Sequence, residues 1–216
     1  AALSLFYVIV WVTVLIAEYT NLSSSMQAYT DKVPYWGWVV IFWVFFSGMS
    51  SLSVNWYGEI EYVLGIFNLT FLAGYYIFAI IYAAGGIKGH KPDNPWGNYP
   101  LNDGFKGIAN SFVYAATFYS GVESVSIIAA EARNPRRAIP TAVKNTVIRI
   151  FFVYYGLTIS NGITVAYNDP YLSNNSRILK APMTIALTEA GWKNSKYFIA
   201  SMILLTCLSS INSAIY

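Results

Sequence analysis

Hydrophobic positions in this chain come in long unbroken runs and do not alternate with polar ones. Five runs, at residues 3–29, 35–56, 60–84, 109–130 and 147–167, are long enough to matter, and a sixth starts near residue 197 and continues to Tyr216. A hydrocarbon core about 30 Å thick needs about 20 mostly apolar residues in a helix. Helix is the required conformation, since an isolated strand would leave backbone groups unpaired in lipid. The lack of alternation excludes a β-barrel. The pattern therefore predicts an all-α integral membrane protein with about six transmembrane helices. Between the runs, residues 85–108 are rich in Gly, Pro and Asn and predict a surface loop built of turns. Residues 181–190 are too short to span and predict an amphipathic helix lying on one face of the membrane.

Composition agrees. The 216 residues are 56% hydrophobic, 18% aromatic and only 11% charged, where soluble domains carry about 25% charged residues. A core of this size could not bury so much apolar surface, so the lipid bilayer is part of the solvent. The net charge of +3 is small and scattered, which argues against a nucleic-acid partner. The single cysteine, Cys207, rules out a disulfide framework. Ala1 opens within apolar sequence and Tyr216 falls inside a run. The expectation is one transmembrane domain, residues 1–216, truncated at both ends.

Charge sets the orientation. Residues 131–149 hold Arg133, Arg136, Arg137, Lys144 and Arg149 against one acid, and such short cationic loops face the cytoplasm. Alternation then puts loops 30–34, 85–108 and 168–196 outside, and a turn at residues 57–61 inside. The glycosylation-type sequon Asn174-Asn175-Ser176 falls on the outer side.

Candidate chemistry concentrates in Phe118-Tyr119-Ser120-Gly121-Val122-Glu123-Ser124. A glycine flanked by hydroxyls within an apolar helix allows the backbone to unwind. Irregular backbone at membrane depth is tolerated where it lines a cavity or is buried in protein. Broken helices of this kind form substrate sites in transporters, and a zwitterionic amino acid suits exposed N–H and C=O groups. A glycine that lets two helices pack closely explains the same residues, and this stretch alone leaves both readings open. Glu123 is an acid within a span, where insertion costs at least about 2.5 kcal/mol and function is the default expectation. Glu18, followed by Thr20, Asn21 and Ser23 to Ser25, fits a polar stripe facing other helices. Asn68 fits an interhelical hydrogen bond worth about 0.6–2 kcal/mol. Ser209, Ser210, Asn212 and Ser213 offer oxygens to a cation or to a facing helix. His90 is the single histidine, so no zinc site or Ser-His-Asp arrangement assembles from this sequence. The expectation is no enzyme, no metal and no cofactor.

The chain resembles the fungal amino-acid permeases of the amino acid–polyamine–organocation superfamily. The resemblance rests on Tyr57-Gly58-Glu59-Ile60-Glu61-Tyr62, on Gly104-Phe105-Lys106-Gly107, and on the segment from Phe118 to Ser124 continuing into Ala130-Glu131-Ala132-Arg133-Asn134-Pro135-Arg136-Arg137-Ala138-Ile139-Pro140. Tyr167-Asn168-Asp169-Pro170 and Leu208-Ser209-Ser210-Ile211-Asn212-Ser213 complete it in the family's order. It implies an inverted-repeat fold of five plus five helices, of which this chain is similar to the third through eighth. It further implies that Thr117, Tyr119, Ser120 and Gly121 line the substrate site, and that Glu123 serves gating or proton coupling. Asn68 stands where fungal members usually carry a lysine that substitutes for a bound cation, so Asn68, Ser209 and Ser210 become candidate lining of the coupling site. Val122 stands where fungal members commonly have threonine. The implied function is proton-coupled uptake of amino acids across the plasma membrane by alternating access. The rival is a permease-like sensor that binds amino acids and signals without bulk transport.

Overall fold

The computed structural model describes residues 2–49, 54–87, 89, 103–118 and 135–215. All regular structure among them is helical: α1 (Ala2–Met26), α2 (Tyr35–Met49), α3 (Val54–Ala83), α4 (Gly104–Phe118), α5 (Pro135–Ile150), a π-helical turn (Phe151–Tyr155), α6 (Gly156–Thr164), a 3-10 turn (Pro170–Ser173), α7 (Pro182–Glu189) and α8 (Ser195–Ile215). Among the described residues, four stretches are long and apolar enough to cross a bilayer: Leu5–Met26, Glu61–Ala83, Ile139–Thr164 and Ser195–Ile215. The third runs through α5, the π turn and α6 without interruption. Large side chains such as Phe6, Trp43, Ile80 and Phe151 are each 60% or more exposed on the outside of the bundle. In water that surface would drive association; in lipid it is the matching solvent.

The ends of the helices follow local chemistry. Gly85 and Gly191 both have positive φ, at 75° and 94°, and each stops a helix in the same way. Gly86 N–H donates to Ile81 O and Gly85 N–H to Tyr82 O; Trp192 N–H donates to Leu187 O and Gly191 N–H to Thr188 O. Paired reverse bonds of this kind satisfy carbonyls that the helix leaves open. Pro170 and Pro182 start their helices, where the missing N–H costs nothing.

α8 is the centre of the arrangement. It packs on α1 on one side and on α3 on the other; α2 lies against α1, α6 against α3, and α7 against α8 and α6. One buried cluster, Leu22, Phe46, Cys207 and Ile211, joins α1, α2 and α8. A second, Tyr82, Val165, Ile185 and Ala186, closes the other end where α3, α6 and α7 meet. Directions follow from the pairings. Tyr29, just beyond α1, bonds to Tyr197 near the start of α8, whereas Leu22, earlier on α1, packs with Cys207 and Ile211 toward its end, so the two are antiparallel. α3 and α6 run parallel, because Tyr75 bonds to Asn161 and the tops of both helices share the second cluster. The cationic end of α5 and the Val54 end of α3 therefore lie on the same side.

Four expectations are corrected. Residues 57–61 are no turn, because α3 already starts at Val54. The cationic stretch is helical from Pro135 onward, with Pro140 inside α5, and is no loop in that part. α4 begins at Gly104, within the expected outer loop. Residues 181–190 do hold a short helix, α7, but it is packed and not amphipathic: the consecutive residues Thr184 to Leu187 are all buried, against α8 and α6.

Candidate functional site

The described polar chemistry within the membrane gathers on α8. Thr206, Ser209 and Asn212 are spaced three apart and so share one helix face, while Ser210 lies about 100° round the helix from Ser209. That offset sends consecutive serines to different neighbours. Ser209 Oγ donates to Glu61 Oε1 of α3 at 2.6 Å. Ser210 and Cys207 lie beside the carboxylate of Glu18 on α1. One turn back from Ser209, Thr206 Oγ1 donates to Asn68 Oδ1 at 3.1 Å while also bonding to Met202 O of its own helix. Glu61 and Asn68 are seven residues apart, two turns of one face of α3, which is why both meet α8.

Two atoms in this seam are buried without a hydrogen-bond partner, Glu61 Oε2 and Asn212 Nδ2. The polar stripe expected on α1 is an interface as well: Ser23 and Ser25 are buried, and Arg177 Nη1 donates to Asn21 Oδ1 at 3.0 Å. A polar cavity of about 610 Å³, bordered by Tyr29, Asp31, Arg177 and Lys196, opens where α1 ends and α8 begins. An apolar one of about 440 Å³ lies between Phe71, Phe78 and Trp192. Neither of these two includes Asn68, Ser209 or Ser210.

The structure thus sets Asn68 of α3 against α8, the helix that carries Ser209 and Ser210, but its hydrogen-bond partner there is Thr206. Thr117 lies on α4, one residue before the end of that helix; Tyr119, Ser120, Gly121 and Glu123 lie outside the described residues. Sequence reasoning missed Glu61 and Thr206. The seven-residue spacing of Glu61 and Asn68 on an apolar helix, matched by Thr206 and Ser209 three apart on another, is the signal that could have found them.

Comparison with known proteins decides the family. The profile of the amino acid permease family matches residues 1–216. The chain belongs to that family. It is 55% identical, over its whole length and 40% of the relative's, to an uncharacterized amino-acid permease of Schizosaccharomyces pombe. It is 42% identical to the general amino acid permease AGP3 of Saccharomyces cerevisiae, over 97% of this chain and 38% of that one. The basic amino-acid permease of the same yeast is 33% identical over 97% of this chain and 39% of its own length. The chain spans about two fifths of the length of these curated relatives. No solved structure matches it. As a member of that family it is a multi-pass integral membrane protein.

Proposed function

We propose that the full-length protein carries amino acids across the plasma membrane by alternating access, driven by the proton gradient. The observation that carries this reading is the α8 seam: two carboxyls, an amide and three hydroxyls meet within helices that cross the bilayer. Polar groups are costly there and mark substrate or ion pathways by default. Membership of the amino acid permease family supplies the substrate class. Relatives named for general and for basic amino acids support it.

In this reading Thr117, Tyr119, Ser120 and Gly121 hold the substrate's carboxylate and ammonium groups, and Glu123 gates the site. Asn68, Ser209 and Ser210 line the coupling site. The helices rock around the midplane to open it to one side at a time. The test is uptake of labelled amino acids by the full-length protein in a transport-deficient yeast, at acid and neutral external pH. Accumulation favoured by external acid is expected. Accumulation indifferent to the gradient removes proton coupling, and binding without accumulation returns the sensor.

A further inference from the structure

We propose that Glu61 is a proton-carrying residue of the transport cycle: it takes a proton on Oε2 and releases it to water on the cytoplasmic side, while Ser209 holds Oε1. The inference rests on the reading of the protein as a proton-coupled transporter and names a residue that the family resemblance did not assign.

Position is the first argument. Glu61 is the first residue of the apolar span Glu61–Ala83, toward the end of α3 that lies on the same side as the cationic end of α5. A proton released there leaves toward the cytoplasm by a short path. Glu59, two residues earlier, is exposed, whereas Glu61 is half-buried and turned into the α8 interface.

Satisfaction of its oxygens is the second. An ionised carboxylate only accepts, with about four lone-pair sites to serve. Here Oε1 receives one short bond from Ser209, which is itself only 9% exposed, and Oε2 is buried with no partner. No Lys or Arg among the described residues pairs with it. A carboxylate oxygen buried without a donor is poorly accommodated as a charge. A proton on Oε2 would leave the Ser209 bond to Oε1 in place. When the proton leaves, Ser209 remains as the donor to the carboxylate.

Neighbouring groups set the field. α6, packed on α3, carries no titratable side chain, and the π turn before it carries Tyr154 and Tyr155. On α8 the titratable group at this level is Cys207. Glu18, on α1, lies beside Cys207 and Ser210 of α8. Lys144 and Arg149 of α5 are exposed.

The experiment uses the purified full-length protein in liposomes holding a pH-sensitive dye, with a labelled amino acid outside. Wild type is expected to acidify the lumen as it accumulates substrate. Glu61→Gln cannot exchange a proton, so accumulation driven by an inward proton gradient should fall at least about tenfold more than gradient-free exchange, a loss of the coupling free energy itself. Glu61→Asp should restore part of the coupling with a displaced pH profile. Unchanged coupling in Glu61→Gln overturns the assignment. Accumulation by wild type without acidification overturns the proton-coupled reading beneath it, a distinguishable failure. If Glu61→Gln does not fold, Ser209→Ala decides: it removes the bond that stabilises the ionised form, and an unmoved pH midpoint of uptake also overturns the proposal.

Discussion

The phenol ring of Tyr76 lies where a side chain on Gly156 would have to be: a Cβ at Gly156 would come within 2.8 Å of Tyr76 Cε2 and Cζ and 3.0 Å of its hydroxyl. That hydroxyl is shared between the carbonyls of Phe152 and Val153, at 3.0 and 3.1 Å. Both carbonyls belong to the π turn, where the ordinary i to i−4 ladder is interrupted. α3 is therefore fastened to the third span by one residue that fills a glycine notch and caps the backbone beside it.

Gly156→Ala should destabilise the protein. Alanine raises helix propensity by about 1 kcal/mol, but overpacking costs about 1–3 kcal/mol. Moving the ring also gives up a hydrogen bond worth about 0.5–1.5 kcal/mol. The net expectation is a lower unfolding midpoint for the detergent-solubilised full-length protein. The cost should vanish when Tyr76→Ala has already emptied the notch, because the two sites are coupled. Equal cost in both backgrounds would show that the contact is not the cause.

Asn68 can be a packing residue, a coupling residue or both, and two substitutions separate these. Thr206→Val removes the donor to Asn68, a loss of about 0.6 kcal/mol by the average for such bonds, softened because Thr206 also bonds to Met202 O. Small destabilisation with an unchanged pH profile of uptake is expected. Asn68→Lys also loses that bond, since an ammonium only donates, but it puts a charge at the candidate coupling site. Its pH profile should move where that of Thr206→Val does not. Identical profiles in the two variants would confine Asn68 to packing.

These contacts also show how far the sequence was legible. Runs of apolar residues revealed the spans, because length against membrane thickness is a coarse and strong signal. They misplaced the helix ends. α3 has 30 residues, about 45 Å at 1.5 Å per residue, and so outruns a hydrocarbon core of about 30 Å. Hydropathy marks the section of helix that lies in lipid, and Glu61 sits at its margin, where an acid resembles the start of a loop. The cationic part of α5 was misjudged for the same reason. Thr206 escaped notice because threonine is unremarked in a helix when it bonds to its own turn. Its partner 138 residues away in sequence is set by packing.

Orientation gives a prediction that cysteine labelling can check. Cys207 is buried, so it should stay silent while exposed replacements report. In a full-length protein stripped of other native cysteines, Asn175→Cys, in the exposed segment before α7, should react with a membrane-impermeant maleimide on intact cells. Lys144→Cys, exposed on α5, should react only after permeabilisation. Short cationic segments stay in the cytoplasm, and α3 runs parallel to that span, so the same result puts the Glu61 end of α3 inside. Labelling in the reverse order would invert the chain and move the exit proposed for the proton to the outer side.

The proposed substrate site includes Gly121, and Gly121→Val is the most direct probe of that assignment. A β-branched side chain restricts the backbone and fills the space that a close-lying ligand would need. Substrate binding by the full-length protein should be lost while insertion and yield in the membrane are retained. Packing alone makes a different prediction. A glycine serving helix contact would, on gaining two methyl groups, overpack the interface at a cost of about 1–3 kcal/mol, lowering stability with little change in affinity for the protein that still folds. Binding isotherms and unfolding midpoints measured on the same preparation therefore assign the residue. Affinity lost at normal stability places Gly121 against the ligand, and stability lost at normal affinity places it against a helix.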